Sequence, residues 1–462
     1  MLFESFMLNL FVIIVLIVAL TFDYITKFFS YWYVRLIPNN TPIPFFGTDY
    51  YRVLGLRSNT EEVNSLYAQY PKDQFVGSIK SRIPDLVLKD PDAIKTILST
   101  DFADFHSRGL ALNKSRDVCI QNNLFYAEGE KWTLLRDNLQ SILNELKPDF
   151  EENLHNCLSG TNGDVNVQQL LSKVLDGVFK DILINQSSNG IVVTNMRTAV
   201  LRRNFMNKLK TYLKNIFPSL YTLFGMTTIA GEPSTETKRE LENSKLLNII
   251  RQANIFQLTL KDKYKKPSSD VDYAFALLAT FITEGYVPCL NLLTALLYEL
   301  ARNPETQIKA RSSEEYLNAV IKESLRLHPP YSVLTRQCVK MYHYPDRKLV
   351  IDKNVTVNVP VESIHRDEKY YNDAKTYNPE RFLAEEHSSH SFAYLPFGAG
   401  PRKCLGEQLS MLICRSVAKA VLKNNVIEPT SITPSELKMA DHNFSRVVNE
   451  EIWLRFIPTS SN

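Results

Sequence analysis

The hydrophobic pattern begins with an apolar run from Met7 to Phe22, broken only by Asn9 and Thr21, with Lys27 and Arg35 behind it. A membrane-spanning helix needs about 20 apolar residues, so this run sits at the short limit of a single-pass anchor. A cleaved signal would carry positive charge ahead of the apolar core and small residues after it. Here Glu4 precedes the core, and Phe28, Phe29, Tyr31, Trp32 and Tyr33 follow it. The pattern therefore predicts an uncleaved anchor over residues 1–27, and the basic flank predicts that the rest of the chain faces the cytosol. Pro38, Pro42 and Pro44 hold the backbone extended, which predicts a proline-rich connector over 28–47.

Residues 48–462 read as one domain, because no repeat, low-complexity block or long flexible linker divides them. "DLVLKD" (85–90) alternates as a strand before Pro91, and "DAIKTILS" after it reads as a helix. "EGEKWTLLRDNLQSIL" (128–143) predicts a helix with Trp132 and Arg136 on one face. From "DVNVQQLLSKVLDGVFKDIL" (164–183) onward the period is mostly that of amphipathic helix. "IFPSLYTLFGMTTIAG" (216–231) is apolar with little period, leaving a core segment and a membrane-dipping segment both open. "KDKYKKPSSD" (261–270) predicts a solvated linker.

An apolar stretch from Tyr273 to Leu300 then predicts one long buried helix, yet "TEGYVPCLNLL" places Gly285 and Pro288 at its centre. Proline lacks the N–H a helix needs and clashes with the carbonyl four residues back, costing about 3 kcal/mol. A local distortion able to hold water is expected there. "EEYLNAVIKESLRLHPP" predicts a helix stopped by Pro329, and "LVIDKNVTVNVP" a strand. Helix dominates with scattered short strands, so the predicted class is mainly α (α+β).

Composition changes this picture little. The chain is 44% hydrophobic, enough for a large core, and its net charge of +3 is too small and dispersed to point to a nucleic-acid partner. The six cysteines lie far apart without C-x-x-C spacing, which predicts neither a disulfide framework nor a zinc ribbon and fits a reducing compartment. Sequons at Asn39, Asn113, Asn185, Asn354 and Asn443 matter only to a lumenal domain.

The chemistry concentrates in "FAYLPFGAGPRKCLGEQLSMLICRSVAKAVL" (392–422). Cys404 is flanked by Gly398, Gly400 and Gly406, with a helical pattern starting near Leu405. Glycines permit tight backbone geometry and close approach to a flat surface. A cysteine ahead of a helix N-terminus meets a positive dipole, with Arg402 two residues away, so a lowered thiol pKa is expected. A thiolate held this way is a nucleophile or a metal ligand.

The string Phe397-x-x-Gly400-x-Arg402-x-Cys404-x-Gly406 resembles the haem-binding signature of the cytochromes P-450, with every defining position filled. "KESLRLHPP" with Glu323-x-x-Arg326, and "YNPERF" with Arg381, resemble the family's Glu–Arg–Arg cluster, which braces the haem loop. Trp132 and Arg136 resemble its W-x-x-x-R helix; the resemblance assigns them, with Arg336 and Arg402, to the haem propionates. "DFADFHSRGLALN" and "NLFYAEGEKWTLLRDNL" look most like the insect xenobiotic-type microsomal branch.

The resemblance implies the cytochrome P-450 fold, haem b with Cys404 as axial thiolate, and monooxygenation of a lipophilic small molecule. It further implies an endoplasmic reticulum anchor in membrane lipid and electrons from NADPH-cytochrome P-450 reductase, with cytochrome b5 as a second donor. Lys131 and Lys403 would lie on the reductase-facing surface.

Two departures stand out. The family's oxygen-activating helix usually reads Ala/Gly-Gly-x-Asp/Glu-Thr-Thr, whereas this chain reads Glu284-Gly285-Tyr286-Val287-Pro288-Cys289, with valine for the acid and proline for the alcohol. Neither donates a proton, and general acid–base assistance is typically worth ~10²–10⁴-fold. Glu284, Thr283 and Cys289 are the neighbouring groups able to take over. The chain also lacks about a helix of sequence before "EEYLNAVIKES", and Asn185 to Asp272 is short for the family. Two other readings therefore stand beside the monooxygenase: an enzyme rearranging hydroperoxides or endoperoxides, which needs no proton relay, and a catalytically weak haem-binding protein.

Overall fold

In the computed structural model, residues 6–459 are described except 45, 81–82, 111, 113–117, 147, 203, 228–232, 253–268, 346–348, 384–389 and 443–444. Most of the linker expected at 261–270 lies outside the described residues, as does the end of the apolar run at 216–231. Helix accounts for 57% of the structure and the sheets are small, the mainly α class. The chain forms two compact units, residues 1–109 with 333–360 and residues 110–332 with 361–462.

The smaller unit carries helix α1 (Phe6–Tyr33) and a sheet of β1 (Phe75–Lys80), β2 (Ile83–Leu88), β3 (Leu334–Gln337) and β4 (Thr356–Val359). The strand order is β1-β2-β4-β3, antiparallel except where β2 and β4 run parallel. The apolar part of α1 is long enough to cross a membrane and none of it is buried within the protein. The helix runs past Lys27, and its last turn packs into the unit. Trp32 is buried, and its indole N–H donates to the Ser78 carbonyl at 2.8 Å. Tyr31 Oη and Arg35 Nη2 both donate to Asp352 Oδ2, at 2.8 and 2.6 Å. The segment behind α1 pairs with the β1 edge, where Gly77 N–H donates to Pro38 O at 2.9 Å.

The larger unit packs its helices on a continuous apolar core. Those used below are α2 (Gly129–Glu145), α3 (Val167–Phe179), α4 (Asp270–Phe281), α5 (Val287–Arg302), α6 (Glu314–Leu327) and α7 (Glu407–Asn424). α5 is the central one, packed against α3, α6 and α7. Asp270–Arg302 is long and apolar enough to span a membrane, but most of it is buried within the protein, so it is the core helix. A three-stranded antiparallel sheet sets Trp453–Pro458 between Gly163–Asn166 and Asn425–Pro429.

The expected distortion between α4 and α5 is a turn of π-helix over Ile282–Tyr286. The Val287 N–H bonds the Ile282 carbonyl, five residues back. Pro288 then falls in the first turn of α5, where a missing N–H costs nothing because first-turn N–H groups have no partner within their own helix. A wide turn followed by a fresh start thus absorbs a residue that would break a continuous α-helix. Tyr286, at the end of the wide turn, ties it to α3 by donating to Ser172 O at 2.9 Å and Asp176 Oδ1 at 2.8 Å.

The described part of the 216–231 run is mixed, with Tyr221 in the core and Met226 packed against it. Its described helix, Pro218–Leu223, buries Tyr221 but leaves Leu220, Leu223 and the following Phe224 exposed.

A methyl group added at Gly77 would stand 2.5 Å from the Trp32 ring, well inside contact distance. Gly77→Ala is expected to destabilise the smaller unit by about 1–3 kcal/mol, read from a urea transition in detergent. The Trp32 fluorescence should shift toward that of an exposed indole before the larger unit unfolds.

Candidate cofactor site

The loop ahead of α7 is shaped by two glycines with positive φ, Gly398 at 72° and Gly400 at 68°, a region that side chains with a Cβ avoid. A single 3₁₀ turn at Gly400–Arg402 follows, and the Cys404 N–H returns to the Phe397 carbonyl at 3.0 Å, closing the loop. Gly406 caps α7, and its N–H donates to the Cys404 sulfur. A Cβ on Gly406 would meet nothing within 4 Å, so open space lies beside the sulfur.

The thiol is not activated in the expected direction. Burial raises it to about 11, against the opposing pull of the Gly406 N–H. Cys404 is nevertheless accessible to solvent. A side chain that is accessible yet surrounded by protein lines a chamber rather than the outer surface. A raised thiol pKa also argues against a standing nucleophile, since the thiolate forms only when a cation arrives to favour it.

The opposite wall is the π turn and the start of α5. Among the described residues from Tyr273 to Tyr298, all are buried except Glu284, Gly285 and Pro288, whose spacing places them on one helix face. Glu284 and Cys289 are close enough to Cys404 to bias its ionisation, so this wall faces the sulfur. The Glu284 carboxylate accepts a hydrogen bond from Tyr331 Oη. Thr283 is buried; its hydroxyl donates to Thr280 O at 3.3 Å and accepts from Asn123 Nδ2 at 3.3 Å. Cys289 is also buried, its thiol engaged with that of Cys414.

The cationic wall comes from α2 and the loop. Two guanidinium groups approach the Trp132 ring, Arg402 at 4.8 Å and Arg136 at 5.6 Å from its centre. Arg402 Nη2 donates to Ala127 O at 2.7 Å, and Arg136 Nη1 to Lys403 O at 3.2 Å. Burial lowers the Arg136 pKa, and the neighbouring Cys404 raises it in opposition. Arg336 belongs to the smaller unit, buried on β3 opposite Val357. Of the two expected docking lysines, Lys403 is exposed and paired with Glu407 at 2.6 Å. Lys131 is half-buried, and burial brings its ammonium down to about 8, so it is no ordinary surface charge.

A soft sulfur ligand with an N–H donor, open space over a glycine, two arginines beside a tryptophan and an otherwise apolar facing helix match a planar iron macrocycle bearing carboxylates. The residues present fit haem.

The loop is braced from α6. Glu323 is fully buried and accepts from Arg326 Nε at 2.7 Å and Nη2 at 2.8 Å, from Arg381 Nε at 3.3 Å and from the Asn378 N–H at 2.8 Å. Arg326 Nη1 also donates to His365 O at 2.5 Å and Ala374 O at 2.6 Å. His365 completes the connection, with Nδ1 donating to Arg326 O at 3.0 Å and Nε2 accepting the Leu395 N–H at 2.9 Å. Leu395 opens the cysteine loop, so α6 and the loop are joined through one imidazole. Neither His365 nor Tyr331 was indicated by sequence, because no local spacing relates them to Leu395 or Glu284.

The family model described as Cytochrome P450 matches residues 232–451. The chain is 27% identical to Cytochrome P450 6B2 of Helicoverpa armigera, with 97% of each chain covered. It is 26% identical to Cytochrome P450 6B1 of Papilio polyxenes, covering 92% of this chain and 94% of that one. It is also 26% identical to Cytochrome P450 9e2 of Blattella germanica, covering 96% of each. The alignment to the first of these spans 503 positions against the 462 residues of this chain, so that relative carries segments absent here.

Removing one charge from a buried ion cluster leaves its partners uncompensated, typically about 3–5 kcal/mol. Glu323→Gln should destabilise the larger unit by that order and sharply lower the yield of haem-loaded protein, measured by denaturant unfolding and haem absorbance. Burial lowers His365 from 6.5 to about 3 in the folded chain. Between those values the unfolded chain binds the extra proton, so stability is full above pH ~6.5 and falls as pH drops, by up to ~1.4 kcal/mol per pH unit. Unfolding midpoints taken from pH 7 to pH 4 should show that slope.

Proposed function

We propose that the chain is a member of the cytochrome P450 family, a family of haem monooxygenases whose haem b iron is held by a cysteine thiolate, and that Cys404 is that ligand in an oxygenase of lipophilic small molecules. The reading rests chiefly on one observation, the accessible Cys404 sulfur facing the Glu284–Pro288 wall across a space open at Gly406. When bound, haem supplies activation of molecular oxygen for insertion into the substrate. The residues around it hold and orient. Arg136 and Arg402, both beside the Trp132 ring, would pair with the propionates. Phe397 and Gly406 shape the loop against the sulfur side. Glu323, Arg326 and Arg381 keep that loop in register.

Electrons come from an NADPH-cytochrome P450 reductase, with cytochrome b5 as a second donor, docking where Lys403 is exposed. The apolar helix α1 anchors the protein in the endoplasmic reticulum membrane with its bulk in the cytosol. The exposed Leu220, Leu223 and Phe224 form a second contact with lipid. A different reading, rearrangement of hydroperoxides or endoperoxides, is favoured by Val287 and Pro288, which offer no proton at the positions where the family carries an acid and an alcohol.

The reduced protein with carbon monoxide should show the band of a thiolate-ligated haem, and Cys404→Ala should lose it. Haem-loaded protein should oxidise NADPH when reductase is added. Turnover of a fatty-acid hydroperoxide without reductase, and no NADPH use with it, would establish the rearranging enzyme instead.

A further inference from the structure

We infer that Glu284, held by Tyr331, is the proton donor of the oxygen-reducing chamber, standing in for the acid and alcohol that Val287 and Pro288 do not provide. The inference rests on the monooxygenase reading above. In that reaction the substrate gains one oxygen atom and the other leaves as water. The balance is RH + O2 + NADPH + H⁺ → ROH + H2O + NADP⁺, so two electrons and two protons must reach the oxygen. The electrons come from the reductase, and the protons must enter through the wall facing Cys404.

Three side chains of that wall carry an exchangeable proton, and the structure separates them. The Thr283 hydroxyl is fully buried and engaged by Thr280 O and Asn123 Nδ2. The Cys289 thiol is buried against Cys414. Glu284 alone of the three is not fully buried as a residue, on the same helix face as Gly285 and Pro288, although its Oε1 atom is itself enclosed within the protein. Its position follows from the π turn, which widens the backbone at Ile282–Tyr286. Such turns recur where a helix must present a side chain to a site.

Tyr331 acts as a positioning residue. It lies just past the end of α6, and its phenol O–H donates to Glu284 Oε2. Its ring stacks on Phe125 at 5.9 Å between centres. The Phe125 N–H bonds Asn123 Oδ1 at 2.7 Å, and Asn123 bonds Thr283, one residue before the glutamate. The carboxyl is therefore held from its own helix and from the Asn123–Phe125 segment through Tyr331. With Oε2 engaged by the phenol, Glu284 gives its own carboxyl proton to the chamber. A proton from solvent water then restores it, and no bond to carbon forms or breaks at the glutamate.

The test compares wild-type, Glu284→Gln and Tyr331→Phe holoproteins with reductase, NADPH and 7-ethoxycoumarin as a lipophilic probe. All three should give the same thiolate-type carbon monoxide band, which shows that the fold and haem site are intact. Product formed per NADPH should fall ~10²-fold in Glu284→Gln, with the electrons recovered as hydrogen peroxide, and several-fold in Tyr331→Phe. A separate readout is infrared difference spectroscopy of the protein from pH 4 to pH 9. A carboxylic-acid C=O band should be absent in Glu284→Gln and shifted in Tyr331→Phe. Wild-type coupling in Glu284→Gln, or a C=O band unmoved by Tyr331→Phe, overturns this inference and leaves the monooxygenase reading standing. A wild-type protein that consumes no NADPH overturns both. If Glu284→Gln does not fold, Glu284→Asp takes its place: shortening the acid by one methylene should also uncouple, and full coupling there would overturn the inference.

Discussion

One buried carboxylate sets the geometry on which the cofactor site depends. Glu323 lies on α6 with no solvent contact, so each of its lone pairs must be satisfied by protein. Arg326 takes two through a bidentate pair, and Arg381 and the Asn378 N–H approach the remaining sites. Arg326 in turn spends its other N–H groups on the carbonyls of His365, Ala374 and Thr376. The cluster therefore gathers segments far apart in the chain around one charge. Because His365 bonds both Arg326 O and the Leu395 N–H, its neutral tautomer passes that order to the loop that presents Cys404. A charged imidazole has no acceptor nitrogen, which is why acid weakens this connection.

The facing wall obeys a different constraint. A helix of this depth has no water to satisfy broken backbone bonds, so a proline in its middle must be placed where its missing N–H costs nothing. The π turn does this by shifting the hydrogen-bond pattern by one residue before Pro288. Tyr286 then fixes the wide turn to α3 through Asp176, which Arg197 neutralises at 2.9 Å. The consequence reaches the chamber, because the same shift sets Glu284 on the accessible face. The wide turn that accommodates Pro288 thus also fixes where Glu284 stands.

The N-terminal apolar helix shows a comparable economy. The apolar part of α1 has no partner inside the protein, but its last turn is locked by Trp32 under Gly77 and by Asp352, which gathers Tyr31 and Arg35. The smaller unit therefore holds the end of this apolar helix directly, in addition to the segment behind it that pairs with the β1 edge.

Some features of this protein are local in sequence and others exist only in the packed chain. The haem loop, the α6 ion pair and α2 were legible because their residues are neighbours in sequence, at spacings set by a tight turn or by one helical turn. So were the anchor and the buried helix, whose composition alone excludes water. The direction of the Cys404 shift was misread, because the dipole and Arg402 are visible locally whereas burial is a sum over the whole fold. The pairing of Glu284 with Tyr331 and the reach of His365 to Leu395 were likewise out of view, since residues distant in sequence meet only through packing. Sequence by itself determined which groups the Thr283–Cys289 stretch possesses, a glutamate, a threonine and a cysteine beside Val287 and Pro288. Only the tertiary structure decided which of them is partly exposed and which is enclosed, because access to solvent and to a partner is a property of the packed chain and not of any residue in it.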